Sequence, residues 1–183
     1  MDVLVENTGK GLPAVGSSAR PRVGEGDETE AWRIPGLVAG IQGAAAVALI
    51  FLVIDLGAGR AMWTPSVLGA RLFQGRLLEP GAGWAPALAL GYTLVHGTLF
   101  VAVGSIAAQM VASLSDGASE RRPSTATLAI ALFIAFEATF VGLALLVDRG
   151  LLSQLGAGPV AVANLAAATV MAMSLTRRSG ARR

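Results

Sequence analysis

Four long stretches of the chain are almost free of charged side chains. They cover residues 34–54, 80–115, 123–147 and 150–176, and they contain one carboxylate and one imidazole between them. Each is long enough to supply the roughly 17–25 helical residues that cross the hydrocarbon core of a bilayer. Because backbone polar groups in hydrocarbon must be hydrogen-bonded within the protein, such stretches are expected to be helices. The pattern therefore predicts a small polytopic membrane protein with an all-α fold.

Composition argues against a soluble domain. Hydrophobic residues make up 54% of the 183 residues and charged residues only 14%, whereas about a quarter of the residues are charged in a typical soluble domain. Cysteine is absent, which excludes disulfides, thiol catalysis and thiolate metal sites within this chain. The formal net charge of +2 is explained by arginines at the ends of the predicted spans, so we expect no nucleic-acid partner.

We predict one membrane domain over residues 33–176, flanked by two tails. Its spans are expected at about 34–56, 86–112, 124–147 and 157–176, with an outer loop at 58–83. Segment 1–32 is rich in glycine and acidic residues and predicts a disordered cytoplasmic tail. Segment 177–183 predicts a basic cytoplasmic tail. The expected architecture is a four-transmembrane-helix bundle with a short interfacial helix in the first outer loop.

The distribution of basic residues predicts the orientation. Four spans place both termini on one side, where ten basic residues fall, against four on the other side. The ten are Lys10, Arg20, Arg22, Arg33, Arg121, Arg122, Arg177, Arg178, Arg182 and Arg183, and the four are Arg60, Arg71, Arg76 and Arg149. Under the positive-inside rule, both termini are expected in the cytoplasm, with the chain in a bacterial inner membrane.

The outer loop at 58–83 is longer than a simple connection requires. Within it, Thr64 is expected as the N-cap of a short helix, with Pro65 at the first helical position. An interfacial helix with its apolar residues against the bundle or the bilayer is the simplest interpretation. The alternative is a lid or a docking surface for a partner. The docking candidates are Trp63, Arg71 and Arg76.

Small residues recur at four-residue spacing and predict the helix contacts. Because helices in lipid gain little from hydrophobic burial, close backbone approach through small side chains supplies much of their contact energy. The predicted packing residues are Gly36, Gly40 and Ala44 in the first span and Gly104 and Ala108 in the second, with alanine pairs 163/167 and 168/172 in the fourth. These stripes are expected to join helices within one chain or between copies of the chain.

Polar side chains within the spans form the candidate site. A rise of 1.5 Å per residue places Glu137, Asn164 and His96 about 22, 20 and 26 Å from the cytoplasmic charge boundary. Asp55 is expected above them near the outer interface, and Tyr92 one turn from His96 on the same helix face. Ionisable groups at such depth usually face the protein interior or a water-filled cavity. These five residues are therefore predicted to form an intramembrane polar site.

This polar set allows four interpretations. A His–Glu pair suits proton or cation handling, and an imidazole with a carboxylate is a partial ligand set for a divalent metal. His96 also suits axial ligation of haem or a chlorophyll-type pigment. The fourth interpretation is a hydrogen-bonded arrangement that fixes helix packing. His96 and Glu137 form one site only if both point inward and meet, and depth alone leaves this open. No cofactor is predicted as a constituent of the protein.

The chain carries no motif of a known reaction. It lacks the Gly-x-Ser-x-Gly elbow of hydrolases, the His-Glu-x-x-His zinc helix and the glycine loop that binds phosphate. We therefore expect a non-enzymatic structural or accessory membrane subunit. The alternative is a proton- or cation-coupled transport element using Glu137 and His96, and the third expectation is a subunit that binds haem or a pigment. The expected partners are the lipid bilayer, other membrane subunits or further copies of the chain.

Overall fold

The computed structural model describes residues 32–76, 78, 83–116, 123–146 and 156–180. These residues form five helices: α1 at Arg33–Gly57, α2 at Trp63–Gln74, α3 at Pro86–Asp116, α4 at Thr125–Leu146 and α5 at Ala157–Gly180. All except α2 are long and apolar enough to cross a membrane. The prediction of an all-α fold with four such helices is confirmed, and it indicates an integral membrane protein.

Several predicted features fall partly or wholly outside the described residues. Of the predicted tail at 1–32, only Trp32 is described, and of the predicted outer loop at 58–83, positions 77 and 79–82 are not. Helix α5 continues to Gly180, into the segment predicted as a basic tail at 177–183. The interfacial position of α2 stays a prediction.

Local sequence explains where the helices begin and end. Pro86 opens α3 at a position where its missing amide hydrogen costs little. At the start of α4, Ser124 accepts a hydrogen bond from the Thr127 amide at 3.1 Å and so acts as the N-cap. Gly75 ends α2 in the left-handed conformation, with φ of 64°.

The start of α2 differs from the prediction. The helix begins at Trp63, one residue after Met62, which has a left-handed φ of 62°. Thr64 therefore lies in the first helical turn and is not the N-cap. The reason is a tertiary contact: the Asp55 carboxylate, from the end of α1, accepts the Thr64 amide hydrogen bond that a local cap would otherwise satisfy.

Helix α1 lies at the centre of the arrangement. It packs against α3 on one side and α5 on the other, while α4 packs against α5 and α2 packs against α3. The large side chains on its outer surface include Ile41, Leu49 and Val53, each more than half exposed. Because these side chains are apolar and alternate with the packed small residues, the outer surface of α1 suits contact with lipid chains.

The contact between α1 and α3 depends on glycine. A Cβ atom on Gly40 would lie 2.5 Å from both the Phe100 carbonyl oxygen and the Val101 Cα, and a Cβ atom on Gly104 would meet backbone atoms of Gly36 and Gly40. Both distances are too short for any real side chain. The two backbones can therefore approach this closely only because these positions have no side chain.

The contact between α1 and α5 combines small residues with one methionine. Met171 is fully buried, and a Cβ atom on Gly43 would lie 2.5 Å from its sulfur. The α5 alanines 163, 167, 168 and 172 have no solvent exposure. The alanine stripe of the fourth span thus lies at the interior of the bundle, where the thioether of Met171 fills the space above Gly43.

Candidate functional site

A groove of about 320 Å³ lies between α1, α2 and α3. Its walls are mainly apolar, and the polar side chains that line it include Asp55 and Thr64 near α2 and Tyr92 and His96 on α3. Pockets of small-molecule sites start at roughly this volume and are usually apolar with a few polar groups. The groove therefore brings together three of the five predicted site residues.

The upper end of the groove, which is the end next to α2, contains a buried carboxylate. Asp55 is 1% exposed, and its two oxygens accept hydrogen bonds of 2.7 Å from the Thr64 amide and the Thr64 hydroxyl. The carboxylate thus lies at the N-terminus of α2, where unpaired amides and the helix dipole favour negative charge. Asp55 joins the end of α1 to the first turn of α2.

Ser66 provides a second connection that the sequence analysis did not identify. This residue is fully buried, its hydroxyl donates to the Met62 carbonyl at 2.7 Å, and its oxygen accepts the Ala85 amide hydrogen bond at 3.2 Å. It therefore links α2 to the segment that enters α3. The available signal was the pair of hydroxyl residues, Thr64 and Ser66, that flank Pro65.

The histidine lies in a column of aromatic rings along α3. The Tyr92 hydroxyl is 3.4 Å from His96 Nδ1, and the two rings stack with centroids 5.5 Å apart. Phe100 lies one turn further on, with its ring centroid 4.6 Å from that of His96, and it stacks on Phe136 of α4 at 5.1 Å. His96 Nε2 is buried and has no hydrogen-bond partner among the residues that the structure describes.

The remaining two site residues form a separate pair. The Asn164 side-chain amide of α5 donates a hydrogen bond of 2.8 Å to the Glu137 carboxylate of α4. Neither residue lines the groove between α1, α2 and α3. Within the part of the chain that the structure describes, no hydrogen bond or ion pair joins His96 to Glu137. The predicted polar set is thus arranged as local contacts in separate parts of the bundle.

The predicted docking residues, Trp63 and Arg71 on α2 and Arg76 just after it, have different environments. Trp63 is half-buried, and the Arg60 guanidinium lies over its ring at 3.9 Å from the centroid. Arg71 donates to the Gly75 carbonyl at 2.9 Å, and Arg76 is exposed. The sequence analysis assigned no role to Arg60, although its position three residues before a tryptophan is a usable signal for a cation–π contact.

The described residues contain no group of three or more His, Cys, Asp or Glu side chains placed to hold a metal ion. Ligation of haem or a pigment by His96 would use a ring nitrogen, and Nε2 is enclosed by protein atoms. The ring would have to turn before that atom reached a ligand. Binding of a metal, haem or pigment at His96 stays an untested prediction.

The Glu137–Asn164 bond leads to a prediction about stability. Replacing Asn164 with alanine should lower the free energy of unfolding by about 1 kcal/mol, since side-chain hydrogen bonds between membrane helices contribute roughly 0.6–1.7 kcal/mol. Glu137→Gln should cost less, because the glutamine carbonyl can still accept from Asn164. Unfolding of the purified protein in a denaturing detergent titration would measure both changes. Equal losses for the two variants would contradict a role for this bond.

Comparisons with protein-family models, with curated protein sequences and with solved structures find no match to this chain.

Proposed function

We propose that this protein is a non-enzymatic accessory subunit of a larger membrane assembly, located in a bacterial inner membrane with both termini in the cytoplasm. One observation carries the proposal: three of the five polar residues, Asp55, Glu137 and Asn164, make contacts that join neighbouring elements. Asp55 connects α1 to α2, and Glu137 accepts from Asn164 between α4 and α5. Such contacts stabilise a bundle, as polar pairs between membrane helices commonly do.

The shape of the outer end supports an accessory role. Helix α2 is attached to the bundle by Asp55 and by Ser66, and its close contact with α3 leaves no space for a side chain on Gly69. Its outward side chains include Leu72 and Phe73, each about half exposed. A helix fixed in this way gives a preorganised surface for another subunit or for the bilayer interface, since little ordering is needed on binding.

Extraction of the native membranes in a mild detergent, followed by native mass spectrometry of the tagged full chain, tests the proposal. We expect the chain in a complex of defined stoichiometry with other subunits or with further copies of itself. The Glu137→Gln variant should retain that complex, because glutamine preserves the hydrogen-bond acceptor. A chain that is monomeric in every gentle extraction condition would contradict the accessory role.

Transport is the second candidate function, and the buried His96 Nε2 atom without a partner is the observation that favours it. Phe100, one turn from His96 on α3, stacks on Phe136, the residue before Glu137 on α4. A proton path between His96 and Glu137 would therefore need water that passes these two rings. Proteoliposomes containing a pH-sensitive dye would test this. Transport requires a wild-type flux that Glu137→Gln abolishes, whereas the accessory role predicts no flux from either protein.

A pigment- or haem-binding role is tested by the colour of the protein. Ligation by His96 predicts visible absorbance in protein purified from its native membranes, and loss of that absorbance in His96→Ala. We expect a colourless preparation, because the ring already packs between Tyr92 and Phe100.

A further inference from the structure

The groove between α1, α2 and α3 opens toward the lipid. Three of its α1 residues, Ala45, Ala48 and Leu49, also belong to the exposed surface of the bundle, and Leu49 is 61% exposed. Helix α2 covers the other end, where Met62 and Pro65 line the groove. A molecule in the hydrocarbon region can therefore enter from the side without passing through water.

The length of the groove corresponds to one leaflet. Its lining along α1 runs from Ala44 to Asp55, a distance of about 17 Å at 1.5 Å per residue. The hydrocarbon core is about 30 Å thick, so one leaflet contributes about 15 Å. A single extended lipid chain that begins beneath α2 would therefore lie along the whole groove.

The small volume of the groove limits the size of its occupant. Much of its floor is made of small residues, including Ala44, Ala48 and Gly97, and its volume is about 320 Å³. A helix with its side chains is about 10–12 Å across, so a helix from a second copy cannot enter this space. A flexible chain of methylene groups can.

A cation lies beside the upper end of the groove. The Arg60 amide donates to the Asp55 carbonyl at 2.9 Å, which keeps Arg60 next to two residues that line the groove, Asp55 and Met62. Its guanidinium is oriented by the Trp63 ring, is exposed, and forms no ion pair with a described carboxylate. A planar guanidinium held this way matches the two oxygens of a phosphate.

The carboxylate of Asp55, at the same end of the groove, repels a bound anion only weakly. Both oxygens of the Asp55 carboxylate are turned toward Thr64, and the residue is 1% exposed. Its charge is balanced at close range by the amide end of α2. Among the described residues at this end of the groove, the exposed charge is therefore that of Arg60.

From these observations we propose that the groove holds one acyl chain of an anionic phospholipid, with the lipid phosphate bound by Arg60. The lipid comes from the surrounding bilayer and is a stable part of the protein surface. This inference does not depend on the accessory role, because a lipid can occupy the groove whether or not the chain assembles with other subunits. It predicts both a preference for an anionic headgroup and a requirement for an open groove.

Native mass spectrometry of the full chain with added lipids tests the two requirements separately. The probes are phosphatidylglycerol and phosphatidylcholine with identical acyl chains. Both lipids present a phosphate to Arg60, but the choline cation of phosphatidylcholine repels the guanidinium, so we expect the wild-type protein to bind one phosphatidylglycerol about tenfold more tightly than phosphatidylcholine. Arg60→Gln should reduce that preference to within about twofold, since glutamine has no charge to repel the choline cation.

A second pair of variants tests the groove itself. Ala48→Phe places a ring in the groove and should weaken binding of both lipids at least about tenfold. The matched control is Ala131→Phe, because Ala131 is an equally exposed alanine on α4 and does not line the groove. This control should bind like the wild type. Thermal unfolding of both variants would show that the fold is retained.

Three results would overturn the proposal. The first is equal binding of the two lipids by the wild-type protein. The second is the same lipid affinity for Ala48→Phe and Ala131→Phe. The third is a different occupant, either a neutral small molecule that co-purifies in place of the lipid or a dimer that only Ala48→Phe dissociates.

Discussion

Replacing Gly40 with alanine is expected to lower the free energy of unfolding by about 2–3 kcal/mol, which is at the upper end of the usual cost of overpacking. The added Cβ atom would lie 2.5 Å from the Phe100 carbonyl oxygen and from the Val101 Cα. Both are backbone atoms, so α1 and α3 must move apart to accept the methyl group. Titration of the purified protein with a denaturing detergent measures the loss.

The matched control is Gly142→Ala on α4. A Cβ atom at Gly142 has no neighbour within 4 Å, so alanine should be neutral or stabilise the protein by up to about 1 kcal/mol through its higher helix propensity. Gly40→Ala combined with Gly104→Ala should cost less than the two single changes together, because one separation of the helices accommodates both methyl groups. Full additivity would show that the two glycines do not share one contact.

Replacing Asp55 with alanine is expected to release α2 from the bundle while the four long helices remain packed. The variant loses two buried hydrogen bonds to a carboxylate, from the Thr64 amide and the Thr64 hydroxyl. Each such bond contributes roughly 1.5–3 kcal/mol, and part of this is offset because a buried charge is removed as well. A net cost of about 2–3 kcal/mol would raise the open population of α2 roughly 30- to 150-fold.

Cysteine labelling measures this opening directly, because the chain has no native cysteine. Val67 on α2 is 2% exposed, so a Val67→Cys reporter should react slowly with a water-soluble maleimide in the wild-type background. Asp55→Ala should accelerate the labelling reaction roughly 30- to 150-fold. Thr64→Val removes the hydroxyl bond and keeps the amide bond, so it should have an intermediate effect. An unchanged labelling rate in Asp55→Ala would show that other contacts hold α2.

The two predictions concern features that the sequence revealed to different degrees. Gly40 and Gly104 belong to stripes of small residues, and such stripes are readable because helix periodicity places every fourth residue on one face. The sequence did not show that Gly40 and Gly104 face each other across the contact between α1 and α3. Periodicity determines the face within a helix, whereas the choice of neighbouring helix depends on how all the helices pack together.

The polar residues show the same division. Counting the helical rise placed Glu137 and Asn164 at similar depths, and the Asn164 amide donates to Glu137. The same count placed His96 nearby, yet its ring lies between Tyr92 and Phe100 on its own helix. Depth is a property of one helix and its sequence. Rotation about the helix axis is set by the neighbours, so similar depth did not determine which side chains meet.

The sequence by itself predicted a bilayer environment and determined the helical fold and the number of candidate spans, because four long uncharged segments can satisfy their backbone groups in hydrocarbon only as helices. Only the tertiary structure decided the role of Asp55, the path of α2 and the existence of the groove. Each of these depends on residues from two or three helices, and their juxtaposition follows from packing of the whole bundle, which no local pattern in the chain encodes.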